Sequence, residues 1–281
     1  MYYTHNQIRE IVDFASKLGI RVVPEIDTPG HATAILTAYP ELGSKANYTY
    51  NIERYSGIFD PTLNPIKDET YVFIENLFKE LTPLFPFEYF HIGGDENEGK
   101  HWDENQEIQL FKKKNKIKTN HELQTYFTIK VEKILNKLDK KLMGWDEIMT
   151  SQMPTTAVIH TWRTENEGMP KGGALISAAK KGYQTVFSNG FYIDRMLPMQ
   201  KHYLFEPIGN VELTDEEHSR ILGGEATMWS ELVIPFTIDS RIWPRTAAIA
   251  ERLWSEKNIN NLELLRLRLD AISLNLEEFG L

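Results

Sequence analysis

Apolar positions along the chain alternate between helical spacing and short β-rich runs. Ile8, Ile11, Val12, Ala15 and Leu18 recur at helical intervals behind Thr4, which suits an N-cap, and Gly19 is a stop signal, so a helix is predicted over 5–18. Residues 20–26 read as a strand, closed by Pro29-Gly30. The segment 40–66, rich in Pro, Gly, Asn and Tyr, reads as a long loop. A helix near 69–82 carries Phe73, Leu77 and Leu81 on one face and leads into a strand at 87–92. The stretch 98–120 is polar, and its Lys112-Lys113-Lys114 run fits a solvated helix end. The helix 121–139 then repeats Leu123, Phe127, Val131 and Leu135 at intervals of four.

Four further strands are predicted at 141–145, 157–162, 183–188 and 221–229. A helix at 171–181 and long loops at 163–170 and 190–219 separate them, and helices at 243–254 and 261–278 close the chain, the last carrying Leu265, Leu269 and Ile272. Alternating β and α units imply a parallel sheet with helices outside it. A doubly wound sheet accommodates six strands, whereas a (β/α)8 barrel needs eight. Functional-looking residues recur at the strand ends, which favours an α/β fold of the TIM-barrel type, incomplete, with six of eight strands. No repeat, low-complexity tract or linker interrupts residues 1–281, which are expected to form one domain.

Composition narrows the function classes. A chain of 281 residues, 41% hydrophobic and 25% charged, is ordinary for a globular protein and long enough for one barrel. Its net charge of −9 argues against nucleic acid or an anionic membrane as the main partner. The absence of cysteine excludes disulfides and thiolate metal sites, and leaves the compartment open. No apolar run is long enough to span a bilayer, and Met1–Asn6 lacks the charged start and apolar middle of a signal peptide. No His/Asp/Glu spacing indicates a metal site, and no cofactor is expected.

The candidate chemistry centres on Phe87–Asn97, a β-rich run followed by Gly93-Gly94 and two adjacent carboxylates, Asp95 and Glu96. At a strand's C-terminal end, such a pair can raise its own proton affinity and leave one member as a general acid. The same residues also suit a helix N-terminus, and physics alone weighs the two readings evenly. Trp145, Trp162 and Trp229 end three other strands, and together they would make an aromatic box fit for a sugar ring or a small acyl group. Trp102, Trp243 and Trp254 read as packing, Glu25 as support, and His91 and His160 as core histidines.

His91-Ile92-Gly93-Gly94-Asp95-Glu96 resembles the signature of family 20 glycoside hydrolases, the β-N-acetylhexosaminidases. Pro24–His31, Gly144–Glu147, Phe191–Asp194, Trp229-Ser230-Glu231 and Trp243-Pro244-Arg245 resemble further hallmarks of that family, in the family's order, over residues 3 to 280. The resemblance implies a retaining exo-hydrolase acting on N-acetylglucosamine- or N-acetylgalactosamine-terminated glycans, with the substrate's 2-acetamido oxygen as nucleophile and an oxazolinium intermediate. By the same resemblance Glu96 is the acid/base, Asp95 orients the acetamide N–H, and Tyr192 donates to the acetamide oxygen. Trp145, Trp162 and Trp229 box the methyl group, Asp194 and Glu231 bind ring hydroxyls, His31 tunes Glu96, and Asp27 joins that cluster.

The family's first two βα units, which carry a sugar-gripping arginine and an acidic partner for His31, have no match here, so the chain is expected to be N-terminally truncated. A further aromatic residue that closes the sugar site has no clear match, although His202 and Tyr203 could sit there. The family resemblance suggests a periplasmic, secreted or lysosome-like setting. An alternative reading is a non-catalytic remnant or weak glycan binder, whose open sheet edges would favour pairing with another chain.

Overall fold

The computed structural model describes residues 2–278 and 280. The chain divides into two compact units, one up to Ile159 and one from His160.

The first unit opens with α1 (His5–Lys17), held by a capping box in which the Gln7 amide donates to Thr4 Oγ1 at 3.3 Å and the Thr4 amide to Gln7 Oε1 at 2.8 Å. Of its apolar stripe only Val12 and Ala15 are buried. There follow α2 (Thr33–Ala38), α3 (Asp68–Leu81), β1 (Tyr89–His91), α4 (Lys100–Asp103), α5 (Gln106–Lys114), α6 (Asn120–Lys137) and β2 (Lys141–Trp145). β1 and β2 run parallel, pairing Tyr89 with Lys141 and His91 with Met143. Leu123, Phe127, Val131 and Leu135 of α6 are all fully buried, as their spacing predicts, and Phe78 of α3 meets Phe90 of β1 with ring centroids 4.4 Å apart. The core face of α3 is Tyr71, Ile74 and Phe78, with the predicted Phe73, Leu77 and Leu81 half-buried beside it.

The predicted strand at 20–26 is reduced to an isolated parallel bridge at Glu25. The Ile20 amide turns back to Ala15 O (2.9 Å) at the end of α1, so pairing begins only at Pro24, whose carbonyl accepts from the His91 amide at 2.9 Å. Ile26 and Thr28 then donate to His91 O and Ile92 O at 3.0 and 2.8 Å. The loop 40–66 is tied down by an antiparallel bridge between Gly43 and Leu63, and Thr62 Oγ1 donates to Pro29 O at 2.8 Å. The polar stretch 98–120 holds two helices, because Asn105 accepts from the Glu107 and Ile108 amides at 3.0 and 3.1 Å and caps α5. Lys112 is buried rather than solvated, with Nζ 2.7 Å from Asn120 Oδ1.

β3 (Val158–Thr161) lies at the division. The second unit continues with α7 (Gly173–Lys180), β4 (Gln184–Phe187), α8 (Met199–Tyr203), α9 (Asp215–Ser219), β5 (Ile221–Gly224), α10 (Ile238–Ile242), α11 (Arg245–Trp254) and α12 (Leu262–Glu278). The Ser188 amide donates to Thr161 O at 3.0 Å, and β4 pairs parallel with β5. β5 stops short of the predicted 229 at the Gly223-Gly224 pair, where the Phe187 ring closes on Gly224 and leaves no room for a β-carbon. Leu175, Phe187, Phe191, Ile193 and Ile249 form one core cluster, and Tyr203, Ala248, Leu265 and Leu269 another. Trp254, predicted as packing, is 94% exposed, because the buried face of α11 is Ala248, Ile249 and Arg252. Among the described residues five strands alternate with helices, fewer than the six predicted and the eight of a closed barrel. No described helix is long and apolar enough to cross a membrane.

Candidate active site

Beyond β1 the backbone turns through two glycines in the left-handed region, at φ +69° for Gly93 and +95° for Gly94. A β-carbon at Gly93 would run into the Asp27 carboxylate, and one at Gly94 would meet Ile148 Cγ2 at 2.5 Å. This turn sets the Gly94 amide on Asp27 Oδ1 at 3.1 Å and sends Asp95 and Glu96 out beyond the strand. Facing them, the chain emerging from Thr28-Pro29-Gly30 presents His31. Its Nε2 stands 3.4 Å from Glu96 Oε2 and 3.6 Å from Asp95 Oδ2. His31 and Glu96 both adopt positive φ, +46° and +51°, a costly conformation for side-chain-bearing residues that tends to collect at functional sites.

Proton affinities follow from this packing. Contacts with Asp95 and then Glu96, opposed by partial burial, lift His31 from 6.5 to about 10, so it is an imidazolium at neutral pH. Burial, and then the charge of Asp95, lift Asp27 well above the ordinary carboxylate range. Burial would also raise Asp95, but hydrogen bonds from His31 and Asp27 outweigh it and hold Asp95 below that range. Asp27 therefore holds its proton more tightly than Asp95 does. Asp27, His31 and Asp95 each offer one ligand atom within 4.8 Å of the others. A cation there would need a neutral imidazole and two ionised carboxylates, which is the opposite proton inventory.

Two residues support this turn, Gln124 with little sequence signal and Glu25 as expected. Gln124, buried on α6, donates to Gly94 O at 2.6 Å and accepts from Asn97 Nδ2 at 3.1 Å. An amide on the apolar face of a helix is the one trace it leaves in sequence. Glu25 accepts from Trp145 Nε1 at 2.9 Å, and its Oε1 lies 3.2 Å from His91 Nδ1. Trp145 is only 3% exposed and meets His91 edge-on, so Glu25 and His91 hold this ring in place.

The remaining predicted residues belong to the second unit. Tyr192 forms a parallel bridge with Thr227, the Ile193 amide donates to Thr227 O at 2.9 Å, and the Arg195 guanidinium lies 4.6 Å from the Tyr192 ring centre. Asp194 is buried, and burial with the charge of Glu231 raises its carboxyl above the usual range. Trp162 is half-buried, Trp229 is 39% exposed, and Glu231 is exposed. His160 is a buried histidine with Nε2 3.0 Å from Glu225 Oε1. His202 and Tyr203 cannot close a sugar site: both are fully buried, His202 against Gly190 O at 2.6 Å and Tyr203 bonded to Glu251 at 2.7 Å.

Comparison with known proteins adds an independent line. The family model described as "Glycosyl hydrolase family 20, catalytic domain" matches residues 1–257. A Flavobacterium johnsoniae chitobiase structure is 58% identical with a TM-score of 0.94, over 100% of this chain and 43% of that one. The exo-β-N-acetylglucosaminidase of Vibrio harveyi, solved with N-acetylglucosamine, is 30% identical with a TM-score of 0.85, over 99% and 46%. β-Hexosaminidase subunit A2 of Dictyostelium discoideum is 35% identical over 293 residues, 99% of this chain and 51% of that protein. The chain thus spans about half or less of the length of these relatives. Its fold class is that of the (β/α)8 barrels in this structural group, with part of the strand set present.

Proposed function

The chain belongs to glycosyl hydrolase family 20, and from that premise we propose that it carries the catalytic apparatus of an exo-acting β-N-acetylhexosaminidase. What supports the reading most is the placement of His31 Nε2 within 3.4–3.6 Å of both Asp95 and Glu96 at a turn that only glycines allow.

In this reading the 2-acetamido oxygen of the terminal sugar attacks its own anomeric carbon as the glycosidic C–O bond breaks. Glu96 gives its proton to the leaving oxygen and later takes one from the water that opens the oxazolinium ion. Asp95, held ionised by His31 and Asp27, accepts from the acetamide N–H and offsets the positive charge that develops there. Trp145 contributes a ring fixed by Glu25 to the acetamide box. Trp162, Tyr192, Asp194, Trp229 and Glu231 are proposed as substrate contacts: Trp162 and Trp229 for the acetamide methyl, Tyr192 for its oxygen, Asp194 and Glu231 for ring hydroxyls. The substrate is a glycan ending in N-acetylhexosamine, and likeness to a chitobiase favours N-acetylglucosamine in β linkage.

The test is Glu96→Gln assayed on two leaving groups. Hydrolysis of a poor leaving group should fall about 10²–10⁴-fold, while a dinitrophenyl glycoside, which needs no proton, should lose much less. Asp95→Asn should slow the first step for both. Unchanged rates in both variants would sink the mechanism, and glycan binding without turnover by the parent protein would favour a binding module instead.

A further inference from the structure

A cavity of about 550 Å3 lies in the second unit beyond the C-terminal ends of β3 and β4, the region where parallel sheets bind ligands. Thr161 and Arg163 wall it from the end of β3, Phe187 and Asn189 from the end of β4, and the segment 205–211 from one side. We propose that it is a second, non-catalytic glycan site, which holds an uncharged N-acetylated sugar unit without cleaving it. The site needs none of the residues assigned to the reaction. Trp162 stands between two wall residues and is not itself in the wall.

The walls are built before any ligand arrives. A β-carbon on Gly172 would meet Ile176 Cγ1 at 2.5 Å and Val211 Cγ2 at 3.2 Å, so the start of α7 and the segment 205–211 close on each other. Glu165 accepts from the Gly172 amide at 2.6 Å and ties the loop after β3 to the same point. Phe205 sits over Gly190, where a β-carbon would come within 2.5 Å of its ring, and meets Phe191 edge-on with centroids 5.5 Å apart. That half-buried ring is therefore held in place, and it lines the cavity where it can stack on sugar C–H groups.

The wall chemistry selects the ligand. Two cations, Arg163 and Lys171, are balanced by two carboxylates, Glu165 and Glu206, which suits an uncharged molecule better than an ion. Both acids are already engaged, Glu165 by the Gly172 amide and Glu206 by Lys257 Nζ at 3.5 Å, so the site holds rather than cuts. Asn166, Asn189 and Asn210 each present a donor and an acceptor side by side, the complement of an acetamido group. Buried Leu175 and Phe187 give an apolar floor for its methyl. The volume falls within the roughly 300–1,000 Å3 of ordinary ligand pockets and takes a disaccharide.

The experiment titrates thio-linked chitobiose, which resists hydrolysis, into the parent by calorimetry, with N-acetylglucosamine thiazoline, a mimic of the oxazolinium ion, saturating the catalytic site. A further site should remain, and its affinity should fall about tenfold in Asn189→Asp and in Phe205→Ala, as loss of one hydrogen bond or one stacking face predicts. Hydrolysis of 4-nitrophenyl N-acetyl-β-glucosaminide should be unchanged in Asn189→Asp, which keeps the size of the side chain and decides the matter if Phe205→Ala fails to fold. No saturable binding beside the thiazoline, or an affinity within about twofold of the parent in Asn189→Asp and every folded variant, overturns the second site. If the thiazoline itself does not bind, the catalytic reading is in error, and the response to Asn189→Asp still decides the second site.

Discussion

His31 offers a test that needs no substrate. Replacing it by Gln removes the imidazolium that stands 3.4 Å from Glu96 and 3.6 Å from Asp95, and keeps a polar side chain. A proton held until about pH 10, against 6.5 in the ordinary state, is bound more tightly in the folded chain. At about 1.4 kcal/mol for each tenfold, that tightening corresponds to about 5 kcal/mol in a fully desolvated site. With 30% of the side chain exposed to water, about 2 kcal/mol survives as net stability. Because the folded-state pKa is raised, this contribution is complete below about pH 6.5 and is lost as pH climbs towards 10. Asp95, held below its ordinary range, stays ionised at the acid end of that window, so the pair is intact at pH 6. Urea unfolding followed by tryptophan fluorescence should therefore show the parent about 2 kcal/mol more stable than His31→Gln at pH 6, and nearly level with it above pH 10. A gap that stays constant with pH, or widens in alkali, would refute the imidazolium bridge.

Two further substitutions probe the same turn. Asp27→Asn retains an acceptor for the Gly94 amide and a donor towards Asp95, so if Asp27 carries a proton its stability at pH 7 should match the parent within about 0.5 kcal/mol, whereas Asp27→Ala should lose about 2 kcal/mol. Equal losses in the two variants, read from urea midpoints, would mean that Asp27 is ionised. Gly93→Ala adds a methyl group where the Asp27 carboxylate already sits, at φ +69°, and should cost about 2–4 kcal/mol by the same measurement. A loss below about 1 kcal/mol would show that the turn yields easily.

What the sequence made legible was local, and what it hid was contact between distant residues. The helix start at Thr4 and the apolar row of α6 are written in nearby residues, and both helices begin within a residue or two of expectation. The glycine pair before Asp95 announces left-handed backbone because only glycine adopts it cheaply. At His31 and Glu96 the same conformation is unannounced, since nothing in a His or Glu codon position signals positive φ. Lys112 looked solvated for a similar reason: its partner Asn120 lies on the next helix.

The raised proton affinity of Asp27 was not legible in the sequence, and its cause is instructive. Two neighbouring carboxylates suggest mutual repulsion along the chain. Asp95, however, meets a third carboxyl from a segment 67 residues upstream of Gly94 and an imidazolium from the turn after Gly30. Burial and the charge of Asp95 then raise Asp27 despite the nearby imidazolium, while hydrogen bonds from His31 and Asp27 hold Asp95 below the ordinary carboxylate range. An orienting carboxylate must be charged before the substrate's own charge develops, and the fold prepares this in advance: it raises the proton affinity of Asp27, bonded to the Gly94 amide, and lowers that of Asp95 beside it.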